Sequence, residues 1–360
     1  MIDVDGSMME GGGQLLRMAI TYSAVKGAPV RVRNIRAGRR QPGLRPQHLT
    51  TLKAVAEICD ADASGLSLGS TEVEFLPGPP RGGDYDLDIG TAGSISLLLQ
   101  CVAPIAAFAS SPVRLSVRGG TAVRWSPPTL MLDRVVWEAV RRMGFRGELA
   151  VRREGFYPRG GGLVEATITP LEVLKPFVAG RPEQVRLVRG VSICGRLPEH
   201  VARRQARSAE AILREAGYRA EIEHRVAAGR EAPLSPGSYI CLWAETEPRT
   251  FMGADALGER GKPAERVGAE AAESLVGQLR TGAAVDLHTA DSLVLLCSLA
   301  DGESDFTTSK LTMHTRTAME LARIITGAEF EVEGELGEPA LIRCRGVGLG
   351  NNLQGHRHPE

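Results

Sequence analysis

The sequence predicts an α/β (α+β) protein: a large domain of three repeated units, with a small α/β domain inserted into it. Three observations carry that reading. Three segments pass through the same order of elements, which is the mark of an internal repeat. A stretch between the second and third segments breaks the pattern but holds strands and helices of its own. The chain has 360 residues, 43% of them hydrophobic and 24% charged, which suits two globular domains.

The first unit opens with "GGGQLLRMAITYSAVKG", a glycine-rich turn leading into an amphipathic helix. A strand-like "APVRVRNIRAG" follows, then a second helix, "RPQHLTTLKAVAEICDAD", and a hairpin-like pair, "STEVEFLPG" and "DYDLDIG". The second unit runs from "TAGSISLLLQCVAPIAAFASS" through "PVRLSVRGG" and "SPPTLMLDRVVWEAVRRMG" to "ELAVRREGFYPRGGGLVEATITP". The third runs from "HTADSLVLLCSLADG" through "SDFTTSKLTMH" and "TRTAMELARIITG" to "EFEVEGELGEPALIRCRGVG". Each reads helix, strand, helix, strand, strand. Between the second and third units lie a strand "QVRLVRGVSICG", a helix "PEHVARRQARSAEAILREAG", a strand "SYICLWAET" and a helix "KPAERVGAEAAESLVGQLR". The large domain therefore spans 1–180 and 281–348, the insert spans 181–280, and 349–360 is a polar tail. The two tail histidines do not make a metal site.

Several function classes fall away. No apolar run approaches the roughly 20 residues that span a bilayer, and the N-terminus shows no export signal. Six cysteines are scattered with no CxxC pair or Cys/His cluster, which reads as free buried thiols in a reducing cytoplasm. Lys plus Arg equals Asp plus Glu at 43 each, which argues against a broad nucleic-acid coat and leaves room for one local basic pocket. The basic share is mostly arginine, suited to bidentate phosphate contact.

Three places carry chemistry. In "DGSMMEGGGQLLR" three glycines precede a helix, where exposed N–H groups and the helix dipole favour an anion. Glu10 sits just ahead and Arg17 two turns in; an acid beside an anion site makes sense when a divalent cation bridges it to phosphates. In "NIRAGRRQPGLRPQHL", Arg36, Arg39, Arg40 and Arg45 crowd one loop and suit a polyanion, with Gln47 and His48 adding donors. In "SKLTMHTRTAMELARIITG", His314 stands where a helix begins and Gly327 closes it. The positive helix end disfavours imidazolium, and a neutral ring can attack phosphorus. Thr312, Thr315 and Thr317 are the expected orienting partners, and histidine a reasonable covalent nucleophile. At the third unit's first helix, Asp291 is placed to cap, and His288 lies at the position that carries Gln14 and Ser94 in the other units. A solvated acid, a solvated basic loop and a structural histidine are the plainer alternatives at these three places.

These motifs, with "RGGDYDLDIGTAGS", "EGFYPRGGG", "HTAD" and "TMHTRT" in order over nearly the whole chain, resemble those of the RNA 3′-terminal phosphate cyclases. The resemblance implies three units of two helices on a four-stranded sheet and a small inserted domain. It implies that His314 attacks the α-phosphate of ATP and carries AMP. AMP then passes to an RNA 3′-phosphate, and the neighbouring 2′-OH closes a 2′,3′-cyclic phosphate. It assigns Glu10 to the divalent metal, Mg2+ or Mn2+. Arg17, Arg36 and Arg39 join His314 and Asp291 in catalysis, Asp291 either orienting His314 or holding ribose. Gln14, Gln47, His48, His288, Phe251 and Pro128 (or Pro127) line the ATP pocket, with His288 stacking on adenine. Ser292 departs from the family's usual glutamine. The implied partners are ATP and an RNA 3′-phosphate end, with no membrane. The rivals are a non-catalytic ribosome-assembly relative, which lacks the histidine, an enolpyruvyl transferase, which needs six repeats, and a general RNA-binding module. The last is disfavoured by the 4% aromatic content.

Overall fold

The computed structural model describes residues 1–180, 184–247 and 251–350. The tail from residue 351, with both its histidines, lies outside the described residues. The first unit comprises β1 (Ile2–Asp5), α1 (Gly13–Lys26), β2 (Val30–Arg33), α2 (Pro46–Ile58), β3 (Asp62–Ser64) and β4 (Val73–Leu76). The second comprises β5 (Gly83–Asp88), α3 (Ile95–Ala106), β6 (Val113–Gly119), a broken helix, β7 (Arg146–Arg153) and β8 (Gly162–Thr169). That helix runs as α4 (Thr129–Met131), a π-helical turn (Leu132–Trp137) and α5 (Glu138–Arg141). The third comprises β9 (Val178–Ala179), α8 (Leu287–Leu299), β14 (Glu303–Thr308), α9 (Met313–Thr326), β15 (Glu329–Glu333) and β16 (Ala340–Arg345).

Each unit builds one four-stranded sheet of the same topology, β1-β2-β4-β3, β5-β6-β8-β7 and β9-β14-β16-β15. In each, the first two strands are parallel and flank a helix, as a crossover requires. The other two pair antiparallel. The guest inserted in the third unit contains β10 (Gln184–Gly195), α6 (His200–Glu215), β11 (Ala220–Ala227), β12 (Gly237–Glu247), β13 (Gly253–Leu257) and α7 (Ala264–Leu279). Its sheet runs β11-β10-β12-β13.

Three expectations need correcting. "DYDLDIG" does not pair with "STEVEFLPG": it is β5, the edge strand that opens the second sheet, parallel to β6. The guest does not fall between units but inside the third, after its first strand, β9. The guest also has β11 and β13, which the sequence did not mark. "AEIEHRVA" carries charge at alternate positions and "GADAL" is short and small, so neither has the apolar signature of a strand.

The helices of the three units pack together in the middle, α1 against α9 and α3, and α2 against α3. One hydrophobic cluster runs through all three. Polar contacts lace the units: buried Tyr22 Oη and Ser298 Oγ are 2.9 Å apart, and half-buried Lys26 Nζ donates to the Ile325 carbonyl at 2.8 Å. The guest has a second cluster, in which Ile240 and Leu242 face Ala209, Leu213, Ala271 and Leu275 of α6 and α7. The alternating residues Tyr239 and Cys241 join the main cluster instead, so β12 is buried on both faces. All six cysteines are unpaired and buried.

Phe177, one residue before β9, lies edge-on to Phe306 at 5.7 Å and to Phe251 at 5.8 Å. It pins the chain leaving the second unit to the segment returning from the guest. Phe177→Ala should cost about 3–5 kcal/mol of stability, as for other buried phenylalanines. The shift of the urea unfolding midpoint measures it, and a loss below about 1 kcal/mol would contradict this packing.

Candidate active site

The first turns of α1, α2, α8 and α9 open on one cleft of about 810 Å³. Four helix N-termini aimed at one space make it a field for negative charge. The glycine run is what lets α1 come so close. Gly11 takes φ +60°, the left-handed region that costs other residues energy. A Cβ on Gly13 would lie 2.4 Å from His48 Nε2, so a side chain there would displace the imidazole. Gly12 caps α1 with no side chain of its own, leaving the first N–H groups to the cleft.

His48 Nδ1 accepts the Arg45 backbone N–H at 3.2 Å, so Nε2 bears the ring proton and faces Gly13. Burial, helped by Arg17, Arg36 and Arg45, pushes its pKa down to about 3. Arg17 lines the cleft, and burial pushes its guanidinium down to about 10. Among the described residues no carboxylate pairs with it. A desolvated cation without a partner calls for an anion. Arg36, at φ +56°, donates to the Gln41 and Gly43 carbonyls at 2.9 and 2.8 Å and so holds the arginine loop in shape. Gln47 Oε1 accepts from the Ser94 N–H at 3.2 Å, leaving its amide nitrogen to the cleft.

His314 is 44% exposed, and its Nδ1 lies 2.6 Å from Glu10 Oε2. Arg39 Nη2 holds the other oxygen of Glu10 at 3.0 Å. With Nδ1–H donated to Glu10, Nε2 is the nitrogen left with the lone pair. The expected threonine partners do something else. Thr312 caps α9, its hydroxyl accepting the Thr315 N–H at 3.0 Å. Both hydroxyls then donate to Asp291 Oδ1, Thr312 at 3.0 Å and Thr315 at 2.5 Å. Thr317 donates to the Met313 carbonyl. Burial raises the pKa of Asp291, while Thr315, the His288 and His314 rings and Thr312 oppose that rise.

Asp291 is not a cap. Asp286 caps α8, accepting the His288 and Thr289 N–H groups at 2.8 Å each. Counted from the caps, Gln14 and His288 are level with Ser96, whereas Ser94 is itself a cap, equivalent to Gly12 and Asp286.

The cleft gathers Glu10, Gln14, Arg17, Arg36, Arg39, Gln47, His48, His288, Asp291, Ser292 and His314. Pro127 lines it, but Pro128 is turned inward as the α4 cap. Phe251 is 3% exposed and lies under Arg142 with Phe177 edge-on, so it is core and not a wall of this cleft. Arg40 and Arg45 stay on the exposed outside of the loop. Of the lining residues the sequence reading does not single out, two stand out. Trp125 reaches the rim, and Asp255 enters from β13 of the guest. Burial pushes the Asp255 carboxyl up to about 7, with the His288 ring working against it. A lone acid in "GADAL" carries no signal of such a place.

A family model described as RNA 3′-terminal phosphate cyclase matches residues 8–332. Curated relatives of that name include one from Methanopyrus kandleri, 50% identical over 97% of this chain and 99% of its own. Others come from Ignicoccus hospitalis, 46% identical over 96% and 99%, and Archaeoglobus fulgidus, 46% identical over 93% and 98%. Among solved structures, the enolpyruvyl transferase NikO from Streptomyces tendae aligns at TM-score 0.37 and 11% identity, over 94% of this chain and 47% of that one.

His48 supplies a test of this geometry. Its NMR signals should remain those of a neutral Nε2–H ring down to about pH 4. The unfolded ring takes its proton near 6.5 and the folded ring near 3, so the unfolded chain binds more protons between those values. The contribution is whole above pH 6.5 and is lost as pH falls toward 3. The urea midpoint should drop over that window, and drop less in His48→Gln.

Proposed function

We propose a reaction for this chain from one premise: it belongs to the RNA 3′-terminal phosphate cyclase family. The protein converts an RNA 3′-terminal phosphate to a 2′,3′-cyclic phosphate, consuming ATP, with AMP carried on His314. The observation that carries this reading is the Glu10–His314 contact at 2.6 Å, which directs a half-exposed imidazole nitrogen into an arginine-lined cleft.

The Nε2 lone pair attacks the α-phosphorus of ATP, and the bond to the departing pyrophosphate breaks. Positive charge grows on the ring as the new bond forms, and the Glu10 carboxylate facing Nδ1–H stabilises it. Arg17 and the free N–H groups of α1 meet the phosphate charge, already in place before it develops. An oxygen of the RNA 3′-phosphate next displaces the imidazole from the AMP phosphorus, giving an anhydride. The adjacent 2′-OH then attacks the RNA phosphorus, loses its proton, and AMP departs. Adenylylation turns a phosphate without a good leaving group into one that has it.

Glu10 is the residue to hold a divalent cation, Mg2+ or Mn2+, which would neutralise charge on the triphosphate. One carboxylate at a phosphate site suits an ion that arrives with its nucleotide. Among the described residues no group of three or more His, Cys, Asp and Glu forms a protein cage for a resident metal. The free buried thiols suit a reducing cytoplasm, and no described helix is long and apolar enough to cross a membrane.

Incubated with α-labelled ATP, the protein should acquire acid-labile AMP on the peptide carrying His314. His314→Ala should lose both the label and cyclisation, and normal turnover by that variant would end this reading. Glu10→Gln should slow adenylylation by about 10²-fold, since the ring loses the partner that directs it.

A further inference from the structure

Trp125 is 94% exposed on the rim of the same cleft that His314 lines. Water-exposed tryptophan is unusual, and this one also sits at φ +68°. A bulky residue in the left-handed region is strained, and such outliers cluster where a ligand is handled. The loop is held rather than free: Arg124 clamps Glu259 of the guest at 2.9 and 2.5 Å.

A second exposed ring lies on the neighbouring loop. Among the described residues, Trp125 and Tyr157 are the exposed aromatic side chains, Tyr157 at 78%. Their loops are laced together. The Thr121 N–H donates to the Gly155 carbonyl at 2.9 Å, and the Gly155 N–H donates to Thr121 Oγ1 at 2.9 Å. Thr121 Oγ1 in turn donates to the buried carboxylate of Glu154 at 2.6 Å. Two residues beyond Tyr157, Arg159 is exposed, and among the described residues no carboxylate pairs with its guanidinium. A chain with 4% aromatic residues thus leaves two rings open to water on adjoining loops, Trp125 lining the cleft and Tyr157, with the unpaired Arg159, on the loop bonded to it.

We propose that Trp125 and Tyr157 form a stacking track on which single-stranded RNA enters the cleft 3′ end first, with Arg159 meeting its phosphodiesters. This rests on the cyclase reading for its direction. Aromatic rings stack any base, and a basic group beside them tracks the backbone. A strand offers several bases to two separate exposed rings, whereas ATP offers one.

Trp125→Ala should raise KM for an oligonucleotide 3′-phosphate about tenfold, with kcat and AMP attachment from ATP alone unchanged, and Trp125→Phe should restore most of the loss. In a second measurement, a single-stranded oligoribonucleotide ending in a 3′-OH should quench the protein's tryptophan emission. Of the other two tryptophans, Trp137 is buried and Trp243 is half-buried on the guest away from the cleft lining, so Trp125→Phe should remove most of that quenching. Unchanged KM in Trp125→Ala overturns the proposal, as does equal loss of AMP attachment, which would assign the ring to ATP. If the wild type never cyclises RNA yet the quenching disappears in Trp125→Phe, the track stands and the cyclase reading falls.

Discussion

The contact between Glu10 and His314 joins the first turn of the protein to its last long helix, and the chemistry depends on α1 and α9 lying side by side. Neither residue has the right neighbour within its own segment. What brings them together is the packing of the first unit against the third, through the shared hydrophobic cluster and the Tyr22–Ser298 and Lys26–Ile325 bonds. The carboxylate is held from behind by Arg39, and the start of α9 is held by Asp291 through two hydroxyls. Removing Asp291 would leave the imidazole in place chemically but loosen the turn that aims it.

The units are alike in backbone and have diverged at a few positions that face the cleft. Arg17, Leu99 and Asp291 each lie five residues past the cap of a first helix, at Gly12, Ser94 and Asp286. Gln47 and His314 each lie two past the cap of a second helix, at Arg45 and Thr312, while Leu130, two past Pro128, stays outside the cleft. Units one and three therefore supply polar groups from equivalent places, and the middle unit supplies leucine. Its Leu97 and Leu99 add apolar wall to the cleft.

Much of this was legible because it is local. Glycine before a helix, glycine after one, and a histidine at a helix start each report on a few neighbouring residues, and α9 ends at Gly327 in the left-handed conformation as its sequence implies. The resemblance then collected most of the cleft's charged and imidazole groups. The rest depends on distance. β9 is two residues long and exists only because β14 lies beside it, so nothing in "VA" marks a strand. The assignment of β5 to its own sheet, not to a hairpin, follows from parallel pairing with β6, which requires α3 to cross over first. Capping, the plainer role for Asp291, fails because Asp286, also acidic and five positions earlier, is the residue at the boundary. The resemblance implies Phe251 as a pocket wall, but an aromatic ring just ahead of a strand serves the core equally well, and here it does.

The interruption of the third unit has a consequence for a chain still being made. β9 emerges early and has no partner until the whole guest has been synthesised and β14 follows. The imidazole and the carboxylate that steadies its helix come later still. A nascent or truncated polypeptide thus carries the glycine turn and the arginine loop before the helix that brings His314 to Glu10 exists, so the cleft is completed only with the final segment.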